Sequence, residues 1–156
     1  MASRQGSSEP LPGLEDTRVA STTTPVGMSC TIPLEAPSMN SLLQIIWHQH
    51  RLETRPEIRL FRTRFKQFLP VWKPSSEAWF AITFRFHEPW LYANGKLKHK
   101  DAPNLIKCCL DALCEHYGID DARVFHLTCE KVLSPDPKIE VTLESLEGDA
   151  RRALEI

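Results

Sequence analysis

A short stretch of this chain concentrates carboxylates and amines: Asp101, Lys107, Asp111 and the pair Asp120-Asp121, preceded by Lys96, Lys98 and Lys100. Grouped carboxylates suit a hard divalent cation such as Mg2+, which takes oxygen donors and keeps waters that a phosphate can replace. Neighbouring lysines offset the repulsion between those acids and a polyanion and can stabilise charge developing on a phosphate. Together they could support metal-assisted attack on a phosphodiester. The same residues also have a plainer use. Asp101 can cap a helix, Lys107 and Asp111 can form an i,i+4 surface pair, and Asp120-Asp121 can make a turn.

Ile106, Cys109, Leu110, Leu113 and Tyr117 recur at helical spacing and Gly118 follows as a C-cap, which predicts a helix starting at Asp101 and ending at Tyr117. Asn104 occupies the capping-box position and Pro103 suits the first turn. For Asp101 and Asp121 to hold one ion, a strand after the Asp120-Asp121 turn has to bring Asp121 back beside Asp101. Two strands are expected there. One spans Arg123 to Val132 with Phe125, Leu127 and Cys129 inward; the other spans Lys138 to Leu146 with Ile139, Val141 and Leu143 inward, the two joined by a hairpin loop at Ser134-Pro135-Asp136-Pro137.

The order Asp101, Asn104, Lys107, Asp111-Ala112-Leu113, then Asp120-Asp121 followed by Val124, resembles the RusA-like Holliday junction resolvases over Lys100 to Lys131. These are small Mg2+-dependent, homodimeric endodeoxyribonucleases that cut four-way DNA junctions. The resemblance implies that Asp101, Asp121 and Lys107 are catalytic, with Asp101, Asp121 and Asp120 holding Mg2+, or Mn2+ in its place. It also implies branched DNA as partner, a second copy of the chain, and a bacterial or phage-encoded, cytoplasmic protein. One position departs from the pattern: the family carries Asp-x-Asp-Asn, and here Pro103 stands for the second Asp. The alternative reading is therefore a branched-DNA-binding module of the same fold with weak or lost catalysis. With the resemblance set aside, the chain reads as an interaction domain with a disordered tail.

Upstream of the acidic stretch, a strand is expected near Cys30 to Leu34, followed by a helix from Ser38 to about Leu52 with Leu42, Leu43, Ile45, Ile46 and Trp47 as its apolar side. His48 and His50 lie two apart, on different faces of such a helix, so they read as solvated or capping residues and not as ligands to one metal. A basic amphipathic helix is expected over Glu57 to Leu69. Ile58, Phe61, Phe65, Phe68 and Leu69 recur every three or four positions, and Arg59, Arg62, Arg64 and Lys66 fill much of the rest. Ala78 to His87 alternates with period two, Phe80, Ile82, Phe84 and Phe86 on one side, and a loop with a turn at Asn94-Gly95 then leads to Asp101.

The chain has 156 residues, 42% hydrophobic and 25% charged, which is one ordinary globular domain. No apolar run approaches the roughly 18 residues of a membrane span. The five cysteines are odd in number and lack paired CxxC spacing, so neither a zinc ribbon nor a disulfide framework is indicated, and a reduced compartment is expected. A net charge of −1 hides a dipole along the sequence: residues 51 to 107 hold 12 Lys and Arg against 5 Asp and Glu, and residues 108 to 156 hold 5 against 11. The basic middle, with Lys96, Lys98, Lys100, Arg59, Arg62 and Lys66, is the expected DNA-binding face. The sequence thus predicts a disordered tail over residues 1–28, an α+β domain over 29–147 with a small mixed or antiparallel sheet and helices on one face, and a frayed terminus over 148–156.

Overall fold

β4 (Phe80–Glu88) organises the molecule, because its alternation buries Phe80, Ile82, Phe84 and Phe86 in one row and leaves Arg85 exposed on the other face. The computed structural model describes residues 27–37, 43–46 and 51–146, so the expected N-terminal tail, Ser38, His48, His50 and the C-terminal end lie outside the described residues, apart from Gly27 and Met28. The elements in order are β1 (Gly27–Ile32), β2 (Leu43–Ile46), β3 (Arg51–Thr54), α1 (Pro56–Gln67), β4, α2 (Ala102–Tyr117), a 3-10 turn (Asp121–Arg123), β5 (Val124–Leu133) and β6 (Lys138–Ser145). Four strands form one sheet in the order β1-β6-β4-β5, with β4 and β5 parallel and the other pairs antiparallel. This mixed sheet with two helices is the α+β domain expected from the sequence.

The parallel pair needs a crossover, and α2 supplies it, running from the end of β4 to the start of β5. Its inner side buries Leu105, Cys108, Cys109, Ala112 and Leu113, and α1 adds Ile58, Phe61 and Phe65. These join Ile139, Val141 and Leu143 of β6 and the inner row of β4 in one core. Gly118 ends α2 with φ 64°, the left-handed conformation that favours glycine. At the other sheet edge Gly27 lies so close to β6 that a Cβ would stand 2.4 Å from the Leu143 carbonyl oxygen.

The hairpin expected at Ser134 to Pro137 is not formed, because β4 lies between β5 and β6 in the sheet. Two other expectations are corrected. The stretch predicted as a helix from Ser38 to Leu52 contains the antiparallel pair β2–β3, with Leu43 opposite Thr54 and Ile46 opposite Arg51. Leu42, Leu43, Ile45, Ile46 and Trp47 make an almost unbroken apolar block with no polar helix face, and a short block of that kind with two isoleucines suits a strand. The second correction concerns β5. Its register sets Leu127 beside Ile82 and Cys129 beside Phe84, but β5 is an outer strand, so Leu127 stays 42% exposed and Cys129 half-buried. Phe125 falls at an irregularity in the pairing, stays exposed, and stacks on Trp79 with ring centroids 4.2 Å apart.

The helix-side thiols carry a pH signature. Burial pushes Cys108 and Cys114 up from 9.0 to about 11, and Cys109 well above its ordinary value. A thiol raised on folding stabilises the native state below its unfolded pKa and loses that contribution as pH climbs through the folded one. Urea melts should therefore show stability falling between about pH 9 and pH 11, and Cys108→Ala should flatten that slope. Leu113→Ala, which empties a fully buried position of α2, should cost about 2–5 kcal/mol in the same melts.

Candidate active site

Asp101 stands at the N-cap of α2 with extended backbone (φ −75°, ψ 137°), and its carbonyl accepts from the amides of Asn104 at 3.0 Å and Leu105 at 3.2 Å. Its exposed side chain makes no capping hydrogen bond. The backbone holds the position while the carboxylate is not spent on the helix. Pro103 is exposed in the first turn and offers no side-chain oxygen.

Farther along α2, Lys107 Nζ donates to Asp111 Oδ1 at 2.7 Å. That bond raises the Lys107 pKa above its ordinary value against partial burial, with the fields of Asp111 and Asp121 adding and that of Arg62 subtracting. Lys107 therefore remains a cation, and Asp121 lies within its electrostatic reach. Asp120 caps the 3-10 turn, its Oδ1 accepting from the Ala122 amide at 3.0 Å, and Asp121 follows as the first residue of that turn.

The structure brings Lys107, Asp111 and Asp121 toward one another, but not Asp101. α2 has 16 residues, about 24 Å at 1.5 Å per residue, and Asp101 and Asp121 flank its two ends. The strand after Asp121 does run back along the helix, but what it delivers to Asp101 is its far end: Lys131 Nζ donates to the carbonyl of Lys100. Within one chain these carboxylates do not fit a shared ion, and among the described residues no three His, Cys, Asp or Glu side chains gather as metal ligands.

The expected DNA-binding residues divide into two groups. Arg59 and Lys96 are exposed, and Lys98 lies 5.8 Å from the Tyr92 ring. Arg62 and Lys66 instead reach Glu115 of α2, at 3.6 and 2.8 Å, and tie the two helices together. Lys100 is bound to Glu35 and, at 2.8 Å, to Glu88. Sequence reasoning missed both of these acids. The available signal was register: Glu88 continues the buried row Phe80, Ile82, Phe84, Phe86, where an unpaired carboxylate could not stay.

A search of curated proteins returns no match to this chain. The family model for the endodeoxyribonuclease RusA matches residues 43–144, well over half of the sequence, and spans β2 to β6 with every acid discussed above except Glu35. With Asp101, Lys107 and Asp120-Asp121 set at the ends and along the flank of α2 inside that match, the chain belongs to the RusA family of endodeoxyribonucleases.

Proposed function

We propose that this protein is a Mg2+-dependent, structure-specific endonuclease that resolves four-way DNA junctions in recombination and repair, acting as a homodimer. The observation that carries this reading is the Asp101 carboxylate, exposed at the start of α2 and not used as a cap, on the same helix as the Lys107 cation. α2 keeps Asp101 and Asp121 apart within one chain, so the ligand set needs two chains. β5 has the geometry for it, being the outer strand of the sheet with one edge unpaired among the described residues. Antiparallel pairing of two β5 strands would run the Lys131 end of each strand toward the Asp121 end of its partner. Lys131 is bonded to the residue before Asp101, so each end of the seam would gather Asp101 from one chain and the Asp120-Asp121 pair from the other. A two-fold pair then has two sites, as a four-way junction requires.

When bound there, the ion would polarise the scissile phosphate and lower the pKa of an attacking water. Lys107 stabilises charge on the phosphate, and Asp111 holds its amine in place. Arg59, Lys96 and Lys98 take the flanking backbone phosphates. The second reading, a junction-binding module with little cleavage, is favoured by Pro103, which supplies no side-chain oxygen two residues from Asp101.

Asp101→Asn and Asp121→Asn should each abolish nicking of a synthetic four-way junction and leave junction binding intact. Mixed together, the two variants should recover about a quarter of parental nicking, since half the random dimers carry one intact site. No recovery, with exchange between dimers verified, would show that both acids act within one chain. Pro103→Asp should raise Mg2+-dependent cleavage about tenfold or more, the effect of roughly 1.4 kcal/mol on the barrier. Parent and Pro103→Asp proteins that bind junctions equally and cut none would establish the binding-module reading.

A further inference from the structure

We propose that Lys100 is a positioning residue: held between Glu88 and Glu35 and clamped at its carbonyl by Lys131, it fixes where Asp101 stands and takes no DNA phosphate. The proposal rests on the nuclease reading of Asp101. Glu88 is 1% exposed, at the end of β4 and on the face covered by the helices. A carboxylate buried there costs stability unless it is paired and fully hydrogen-bonded, and an apolar residue would serve packing as well or better. Glu88 does have partners: one oxygen accepts from the Ala36 amide at 3.3 Å and the other from Lys100 Nζ at 2.8 Å. What such a pair provides beyond packing is a unique location for the lysine.

An ammonium has three protons, and that of Lys100 already faces three acceptors: Glu88 Oε2, Glu35 Oε1 and, at 3.5 Å, the Ala36 carbonyl. Its side chain is 19% exposed and its ammonium is shared between two carboxylates, so an approaching phosphate would find it occupied.

The loop from Pro89 to Lys100 could deliver Asp101 to α2 in many ways, and a series of contacts selects one. The Lys98 amide donates to the Trp90 carbonyl at 2.7 Å, and Trp90 Nε1 donates to the Val132 carbonyl at 2.8 Å. Lys131 Nζ lies 4.8 Å from the Trp90 ring centroid while donating to the Lys100 carbonyl. Lys100 is thereby fixed at both side chain and backbone, one residue ahead of the Asp101 carboxylate.

The test compares Lys100→Met with the parent on a four-way junction. Lys100→Met should leave the salt slope of binding unchanged and lower the cleavage rate at saturating enzyme about 10- to 100-fold, as expected for a misplaced ligand. Exchange of the Asn104 and Leu105 amides, which bond to the Asp101 carbonyl, should quicken. Lys96→Met serves as the phosphate-contact reference and should reduce the salt slope by about 1. Because Lys100→Met strands a buried carboxylate and can unfold the chain, Glu88→Gln with Lys100→Gln is made in parallel. This pair removes both charges, keeps a hydrogen bond, and should restore folding and part of the lost rate. A salt slope lower by about 1 in Lys100→Met, with the saturated rate unchanged, would overturn the proposal. A parent that binds junctions and never cuts them would defeat the nuclease reading instead. In that case amide exchange decides: unchanged exchange at Asn104 and Leu105 in Lys100→Met, or in the double variant should Lys100→Met not fold, would overturn the positioning role as well.

Discussion

The packing of α2 against the inner row of β4 is the constraint on which the other features depend. Phe80, Ile82, Phe84 and Phe86 leave no room for a polar layer, so the helix that crosses from β4 to β5 must present Leu105, Cys109, Ala112 and Leu113 to them. That requirement sets the length and direction of α2, and with them the places of the acids. Asp101 is held at one end because the helix starts where the loop after β4 returns to the sheet. Asp120 and Asp121 are held at the other because β5 must begin there to run parallel to β4. A stiff helix fixes this separation in a way that a loop of equal length would not.

Much of this was legible in the sequence. The 3.6 period of α2 with Gly118 behind it, the strict alternation of β4 and the inward Ile139, Val141 and Leu143 of β6 are patterns whose period and burial agree. The hairpin of β2 and β3 was not legible, because Leu42 to Trp47 is apolar at nearly every position and carries no period to read. Phe125 misled because the pairing skips it and breaks the alternation there, and Leu127 for a different reason. Alternation reports which face a side chain takes, and not whether the strand has neighbours on both sides, so an outer strand reads like an inner one.

The sequence offers a set of candidate site residues and not a geometry. Residue types, spacing and the family resemblance made Asp101, Lys107 and Asp121 the candidates, but spacing along a chain does not say which end of a strand meets which end of a helix. The basic residues show the same limit. Arg62 and Lys66 bind Glu115, and Lys100 binds Glu35 and Glu88, so several charges counted toward a DNA surface also have acidic partners within the fold.

The pairing of β1 with β6 also bears on the order in which the chain can fold. Gly27 lies opposite Glu144 and Ile32 opposite Ile139, so the first strand of the sheet has no partner until the last one has been synthesised. β4 meets the same delay on both sides, since β5 and β6 both follow it. During translation the helices can form as they emerge, but the sheet cannot begin to assemble until β5 is available and cannot be completed until β6 is. Its aromatic row therefore remains uncovered by neighbouring strands while the residues between Glu88 and β5 are being made. Contacts of such long sequence separation favour slow folding, and the nascent chain is the state in which this protein is most exposed to aggregation.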